Sequence, residues 1–449
     1  MRHLSIMIPE IKELLKLNKK EELHEAMKEM HPADIADALF DLDIKEQVAL
    51  ISRIDKKQMI EAFDELDEYE QFELLDKLEK ELSAYLLNEM SSDERADLLS
   101  SLPDKVAKKF LNLMSEAERK DVEKLLKYPA NSAGSIMTTE YISLTPELTV
   151  SEASELIRLA APKKETIYYT YVTDQENRLI GFVSLKDIFM AGQDLLIKKI
   201  MHRKVIKAGT RQDQEEVAKT VRKYNLLALP VIDRDKKLVG IVTVDDILDV
   251  VREENTEDFY KMAAMLAPED PYFDTGFATL IGRRIVWLLI LLIAVQFSGQ
   301  ILKNYSFALE SIVALSFFIP MLLNTAGNAG TQSSTTVIRG LATGEIGINQ
   351  VFKVVRRETG IGLVLGIVLG VLGVGRALLL QGNVFVSFAV GLALALTIVM
   401  ATLTGAFLPL LLKRLKIDPA VAAGPFISTI VDITALIIYF EIARTLLHL

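Results

Sequence analysis

Val421-Ala-Ala-Gly-Pro-Phe-Ile-Ser-Thr-Ile-Val-Asp432-Ile-Thr-Ala-Leu-Ile-Ile-Tyr-Phe-Glu-Ile-Ala-Arg-Thr-Leu-Leu447 is an apolar stretch with one carboxylate more than two helical turns from either end. A stretch of this length crosses a bilayer as a helix. An ionised Asp near its centre costs at least ~2.5–3.5 kcal/mol on insertion scales, so Asp432 is expected to line a polar path or to find a partner. No Lys or Arg sits at comparable depth in the other apolar stretches. What remains is a metal cation, a proton, or a hydrogen bond to a neighbouring helix through Thr335 or Thr402. Glu310, Glu358, Asp418 and Glu441 lie near span ends, where a carboxylate reaches water, and are read as interfacial.

Four further apolar stretches precede it: Ile285 to Leu302, Ile312 to Ile338, Gly360 to Leu380 and Val384 to Leu412. With the first 280 residues in the cytoplasm, the inner flanks hold Arg283, Arg284, Arg339, Lys353, Arg356, Arg357, Lys413, Arg414 and Lys416, and the outer flanks only Lys303, Arg376 and Arg444. That bias predicts five spans with the C-terminus outside. The third stretch carries Gly362, Gly366 and Gly370 at intervals of four, a ridge that lets another helix approach closely. The second carries Pro320 and the run Asn324-Thr-Ala-Gly-Asn-Ala-Gly-Thr-Gln332. Lipid satisfies none of those amides and hydroxyls, so they are expected to face protein or a water-filled path. If two copies of the fifth span meet on an axis, their carboxylates repel unless a cation lies between them. Hydrated Mg²⁺ suits such a site, being held through one or two carboxylates with several waters kept.

The 449 residues are 50% apolar, carry a net charge of −10 and contain no cysteine, which excludes a wholly disordered chain and a disulfide scaffold. Residues 1–280 hold 39 Lys+Arg against 55 Asp+Glu and residues 281–449 hold 12 against 6, so the two parts sum to −16 and +6. An acidic half of that size repels phosphate, so nucleic acid is not an expected partner. The opening MRHLSIMIPEIKELL has no apolar core followed by a small-residue cleavage site, so no export signal is expected there.

Two segments of the acidic half match in order. Ile136-Met-Thr-Thr-Glu-Tyr-Ile-Ser leads to Gly181-Phe-Val-Ser-Leu-Lys-Asp187-Ile, and Ile200-Met-His-Arg-Lys-Val-Ile-Lys leads to Gly240-Ile-Val-Thr-Val-Asp-Asp246-Ile. Each copy alternates helix and strand signals, so a small α/β unit is used twice. Residues 1–130 have helical apolar spacing throughout, and Pro32-Ala-Asp-Ile-Ala-Asp37-Ala-Leu39 recurs loosely as Ser92-Asp-Glu-Arg-Ala-Asp97-Leu-Leu99, which predicts a stack of short helices. From Thr243 to Pro268 an amphipathic pattern carries Asp245, Asp246, Asp249, Glu253, Glu254, Glu257 and Asp258. Asp246, Asp249 and Glu253 crowd one side of such a helix, and bound divalent cations would relieve their repulsion.

The repeats resemble tandem CBS domains. The whole order resembles the MgtE family of Mg²⁺ channels, most specifically at Gly327-Asn-Ala-Gly-Thr-Gln332 and at Asp418-Pro419 with Pro425 and Asp432. The fold this implies is an all-α helical domain over 1–130, an α/β tandem CBS pair over 131–195 and 196–250, an amphipathic connecting (plug) helix over 243–275, and an α-helical transmembrane bundle of five spans over 276–449. The resemblance implies a homodimer in the inner membrane with its N-terminal domains cytoplasmic, a pore holding Mg²⁺ at Asp432 with Asn328, Gln332 and Ser428 beside it, and uptake down the electrochemical gradient. It implies closure by cytosolic Mg²⁺ at Asp93, Asp97, Asp213, Glu215, Asp246, Asp249, Glu254, Glu257 and Asp258. Asn225 stands where an acid is expected, and Gly424 where some relatives supply a polar side chain. For the CBS pair it implies ATP or another adenine nucleotide against Tyr169, Ser184, Asp187, Thr243 and Asp246. Two other readings stand beside the channel: a proton-coupled divalent-metal transporter, and a non-conducting membrane-anchored sensor. No enzyme is expected, because no Gly-x-x-x-x-Gly-Lys-Ser/Thr loop is present and the five histidines have no metal-ligand spacing.

Overall fold

From residue 32 onward a helix begins every twelve residues, at Pro32, Ile44, Lys56, Glu68, Lys80, Ser92, Asp104 and Glu116. The computed structural model describes residues 4–266 and 275–448. It divides into two units, Met1–Arg252 and Glu253–Leu449. The twelve-residue register has a local cause. The residues before these starts include Asp43, Asp67 and Ser115, whose side chains accept from N–H groups of the first turn, and such caps fix where a helix begins. Helices of 8 to 10 residues are marginal alone, so packing must hold them. Leu39, Ile51, Phe63, Leu75, Leu87 and Leu99, again twelve apart, are all buried. Polar side chains stitch each helix to the one before: Gln47 Nε2 donates to the Leu39 carbonyl at 2.9 Å, Gln71 Nε2 to Phe63 at 3.1 Å and Ser83 Oγ to Leu75 at 3.0 Å. Helix Ser92–Ser101 packs on helices Glu68–Lys77 and Glu116–Leu125, each the second one along the chain. The loose match between residues 32 and 92 is five turns of this repeat.

Two three-stranded sheets follow: β1 Ser143–Leu144, β2 Tyr169–Thr173 and β3 Leu179–Ser184, then β4 Ala208–Gly209, β5 Ala228–Ile232 and β6 Leu238–Thr243. In each, the short first strand is parallel to the second and the second antiparallel to the third. The two repeats exchange their opening segments. Thr138, at the head of the first repeat, pairs with Ile241 on β6, with N–H to carbonyl distances of 2.8 and 2.9 Å, and His202, at the head of the second, pairs with Phe182 on β3 at 2.9 and 3.0 Å. The exchange gives the repeated glycines their reason. A Cβ on Gly240 would lie 2.7 Å from the Thr138 carbonyl, and one on Gly181 3.1 Å from the His202 carbonyl. Tyr171, Leu179, Ala228, Leu238 and Ile241 form one core joining the two sheets.

In the second unit five helical segments, Phe277–Asn304, Val313–Ala342, Ile348–Gln381, Val384–Arg414 and Gly424–Leu447, are long and apolar enough to cross a membrane. They are called here the first to fifth spans. The fourth is central, packing on the second, third and fifth, whereas the first has no buried residue and rests mainly on the fifth. The third-span glycines lie against the fourth. A Cβ on Gly366 would sit 2.6 Å from the Ala395 carbonyl and one on Gly362 2.2 Å from Thr402 Oγ1, so the helices meet at backbone contact. The connecting helix runs Val244–Met262. The expected continuation to 275 is not helical over 263–266, and residues 267–274 lie outside the described ones.

The exchanged segments make a graded prediction. Gly240→Ala meets backbone and is expected to cost about 1–3 kcal/mol, while Gly181→Ala, with its nearest atoms at 3.0 and 3.1 Å, should cost clearly less. Thermal unfolding of the two variants in detergent checks the order.

Candidate functional site

Pro320 and Pro425 each stand in the first turn of their helix, Ile319–Ala342 and Gly424–Leu447, where the missing N–H is no loss. The two helices approach through glycine: a Cβ on Gly330 would lie 3.0 Å from Ile427 and 3.1 Å from Val431, and one on Gly327 3.4 Å from Ser428 Oγ. Beside this contact is a cavity of about 190 Å³ lined by Leu323, Asn324, Gly327, Asn328, Ser428 and Asp432. Asn328 Nδ2 donates to Asn324 Oδ1 at 3.2 Å. That leaves the Asn328 carbonyl oxygen, Ser428 Oγ and the Asp432 carboxylate as oxygen donors. Oxygen donors with room for retained water suit a hard divalent cation.

Among the described residues nothing hydrogen-bonds or ion-pairs with Asp432. The expected partners Thr335 and Thr402 do not reach it: Thr335 is exposed, and Thr402 Oγ1 donates to the Val399 carbonyl at 3.0 Å. Asp432, Asn328 and Ser428 share the cavity, and Asn324 joins them. Gln332 is exposed and is not part of its lining.

The N-terminal approach to the fifth span is tied to the connecting helix. Lys261 Nζ donates to Glu257 at 2.6 Å and to Asp418 at 2.7 Å. Burial alone would lower its pKa, but the bonds to Asp418 and Glu257 prevail and push it up to about 12. Asp418 in turn accepts from Ala420 N at 2.9 Å, capping the short turn Pro419–Ala422. Gly424 has φ +48°, and a Cβ there would lie 2.5 Å from the Met262 carbonyl. Glycine is demanded twice over, which accounts for the absence of a polar side chain at 424.

In the first unit, carboxylates gather where helix Ser92–Ser101 meets the CBS pair. Ser92 Oγ lies 3.1 Å from Thr138 Oγ1 and accepts from Thr139 N at 2.9 Å. Asp93 is 6% exposed; its Oδ1 and that of Asp64 are buried without a partner. Burial raises the pKa of Asp93, and the charge of Asp245 adds to it. Burial and then the charge of Asp93 push Asp64 up to about 7, Glu94 to about 9 and Asp246 to about 8. Burial also pushes Glu140 up to about 7, against the opposing charge of Arg95. Arg95 is buried and pairs with Glu118 and Glu140. It is one cation facing an excess of carboxylates. No three of these side chains among the described residues are placed to chelate a bare ion, so a divalent cation here would be held through its own water.

Other expected site residues stand apart from this cluster. Asp213 Oδ1 accepts from Glu215 N at 3.0 Å, capping helix Gln214–Tyr224, and Glu215 pairs with Lys219 at 2.7 Å. Asn225 closes that helix at φ +50°, a left-handed conformation that Asn tolerates better than most residues. Asp249 is exposed. Glu254, Glu257 and Asp258 lie on the part of the connecting helix that belongs to the second unit. Asp97 stands one turn after Asp93 and its charge acts on Glu94. In the CBS pair, Ser184 Oγ and Asp187 Oδ2 are 2.6 Å apart in a reciprocal cap, and Thr243 and Asp246 repeat the bond. Tyr169 packs edge-on against Phe182 at 5.8 Å, and Phe182 stacks on His202 at 5.0 Å.

Sequence reasoning did not single out Asp64, Glu94, Glu140 or Asn324 as site residues. The first three are scattered along the chain, and only the packing brings them together.

Family models match three parts of the chain: a divalent cation transporter model over residues 319–442, an MgtE intracellular N domain model over 30–131, and a CBS domain model over 133–194 and 197–253. The magnesium transporter MgtE of Thermus thermophilus is 42% identical over 73% of this chain and 72% of its own length. The Bacillus subtilis protein of the same name is 40% identical over the same shares. Among solved structures, the cytosolic domain of the Mg²⁺ channel MgtE in complex with ATP matches at TM-score 0.52 and 35% identity, covering 54% of this chain and 99% of that one. The soluble part of a magnesium transporter matches at TM-score 0.53 and 36% identity, over 56% and 99%.

The cluster makes a prediction with a definite sign. Its carboxylates have folded pKa values above their unfolded values near ~4, so between the two the folded state binds more protons. In metal-free buffer the stabilising effect is complete below pH ~4 and is lost progressively as pH rises to the folded values of about 7 to 9. Hydrogen exchange in helix Ser92–Ser101 of the full chain should therefore speed up across that window beyond the intrinsic rate. Asp93→Asn should flatten the rise.

Proposed function

The chain belongs to the MgtE family of magnesium transporters, and from that premise we propose that it is a homodimeric Mg²⁺ channel closed by Mg²⁺ on its cytoplasmic side. The observation that carries the reading is Asp432, an intramembrane carboxylate without a partner among the described residues, in a cavity of oxygen donors. A mere anchor has no use for such a group, because its insertion cost is unrelieved. Two copies joined through the second and fifth spans would bring two such cavities to one axis, and a hydrated Mg²⁺ held through its waters would answer both carboxylates.

In this reading the acidic cluster is the sensor. Without Mg²⁺, the buried carboxylates around Asp93 and Asp246 repel, and the helical domain and CBS pair loosen. Bound Mg²⁺ at this cluster, together with Asp97, Asp213, Glu215, Asp249, Glu254, Glu257 and Asp258, draws them together and sets the connecting helix as a plug. Lys261, bridging that helix to Asp418, is the latch that transmits the closed position to the fifth span. A second copy of the CBS pair would cover apolar side chains exposed on the repeats, among them Leu159, Phe189, Met190, Leu248 and Val251. The solved relative with ATP supports an adenine nucleotide at the pair, with Ser184, Asp187, Thr243, Asp246 and Tyr169 presenting hydroxyls, carboxylates and a ring. The flank charges support cytoplasmic N-terminal domains and an external C-terminus.

Mg²⁺ entry into dye-loaded proteoliposomes at low free Mg²⁺ tests the pore. Wild-type flux that is abolished in folded Asp432→Ala supports the reading. Flux unchanged in that variant would remove Asp432 from the path. For the latch, Lys261→Ala should raise the flux remaining at closing Mg²⁺ concentrations by about fivefold or more while leaving flux at low Mg²⁺ unchanged.

A further inference from the structure

Several hydroxyls in the spans bond back to their own helix. Thr336, Thr397, Thr429 and Thr434 each donate to a carbonyl three or four residues earlier, at 2.8, 2.7, 2.8 and 2.9 Å, a common local bond for a helical hydroxyl. Ser334 departs from this. It is fully buried in the second span, and its Oγ donates to the carbonyl of Ala422, 88 residues along the chain, at 2.9 Å. The carbonyl that back-bonding would use is that of Gly330, and that oxygen is pressed against the fourth span: a Cβ on Gly405 would lie 2.3 Å from it.

Ala422 ends the short turn Pro419–Ala422, and Asp418 caps its start. Asp418 is also where the connecting helix takes hold, through Lys261 Nζ at 2.7 Å. The turn therefore carries a grip at each end, Lys261 on Asp418 and Ser334 on Ala422. It has little freedom to absorb a displacement between them. Pro419 fixes a backbone angle, Ala420 and Ala422 are buried, and Gly424 just beyond lies against the Met262 carbonyl. On the second span Ser334 continues a stripe with Gly327 and Gly330, at helical intervals of three and four, and those glycines meet Ser428, Ile427 and Val431 of the fifth span. The helix is held elsewhere at the same level: Ser333 Oγ lies 2.8 Å from Glu358 Oε2 and 2.9 Å from the Thr402 carbonyl. Glu358, placed by its sequence position at a water-accessible span end, is instead 8% exposed. Ser334 stands about 9 Å along the helix axis from Asn328, so a pull on Ala422 acts within two turns of the cavity.

We propose that Ser334 is a positioning residue of the gate. Its bond to Ala422 carries the setting of the Lys261–Asp418 contact across the Pro419–Ala422 turn into the second span, so that Asn324 and Asn328 follow the connecting helix together with Asp432. The inference rests on the gated-channel reading above and adds the second span to what the Lys261 latch moves.

Mg²⁺ flux through the full chain in proteoliposomes, at low and at closing Mg²⁺, tests this with Lys261→Ala, Ser334→Ala and the double variant, each checked for folding by thermal unfolding in detergent. Ser334→Ala removes one hydroxyl and adds no bulk. It should keep flux at low Mg²⁺ within about twofold of wild type and raise the flux remaining at closing Mg²⁺ by about fivefold or more. The double variant should leak no more than the leakier single one, because both substitutions cut one link, whereas separate effects would multiply. A leak in Lys261→Ala with normal closure in Ser334→Ala, or multiplied leaks in the double variant, overturns the relay and leaves the latch standing. Flux lost at low Mg²⁺ in folded Ser334→Ala makes the serine a packing residue and overturns the relay too. Normal closure in Lys261→Ala overturns the latch itself, and the relay with it.

Discussion

Buried negative charge without enough protein cations is the constraint on which this architecture turns. In the membrane unit Asp432 faces a cavity with no Lys or Arg to answer it. In the first unit the charges of Asp64, Asp93, Glu94, Glu140 and Asp246 act on one another, and Arg95 is the buried arginine that pairs with Glu140. Burying such groups is costly unless they are paired or protonated. A protein that keeps them at least half-buried and short of cations stays poised, because whatever supplies the counter-charge also sets the conformation. The two clusters differ in what they ask of a cation. The cavity offers a few oxygens in a space that admits water, which suits transient occupation. The cluster in the first unit offers many carboxylates from separate segments, which suits drawing those segments together.

Glycine does the opposite work, making approach possible where charge resists it. Gly330 and Gly405 bring the second and fourth spans to backbone contact, and Gly366 does so for the third and fourth. Gly181 and Gly240 let each CBS repeat accept the other's opening segment. Rigid helix contacts mean that a small set of polar links, Lys261 with Asp418 just before the fifth span and Ser333 with Glu358 and Thr402 inside, can fix the register of these helices. Gly424 sits against the Met262 carbonyl, so the connecting helix touches the very start of the helix that bears Asp432.

The five spans and the helical and CBS domains were legible because each rests on local periodicity. Apolar runs of 18 residues or more, two copies of a strand-helix pattern and three-to-four spacing survive reading one segment at a time. What depends on which segments meet was not legible. Matching Ile136-Met-Thr with Ile200-Met-His revealed a repeat but not that each copy's opening segment pairs with the other copy's sheet. The twelve-residue register was present in the caps Asp43, Asp67 and Ser115 and in the buried Leu39, Ile51, Phe63 and Leu75, yet between them the residues vary freely and hide it. Glu358 was misread for a related reason. Position along a span gives depth, whereas burial depends on which side the neighbours occupy. Asp432 stood out as a candidate because an isolated carboxylate in an apolar run is conspicuous without knowledge of its neighbours.

Electrical recording from membrane patches with the face bearing residues 1–252 perfused tests the central claim most directly. The account predicts unitary currents carried by Mg²⁺ when that face is bathed in low Mg²⁺. These currents should be silenced as Mg²⁺ there is raised, with neutralisation of Asp93 and Asp246 shifting closure to higher Mg²⁺. Mg²⁺ movement without unitary currents, dependent on a proton gradient and indifferent to Mg²⁺ on that face, would contradict it and make the protein a coupled carrier.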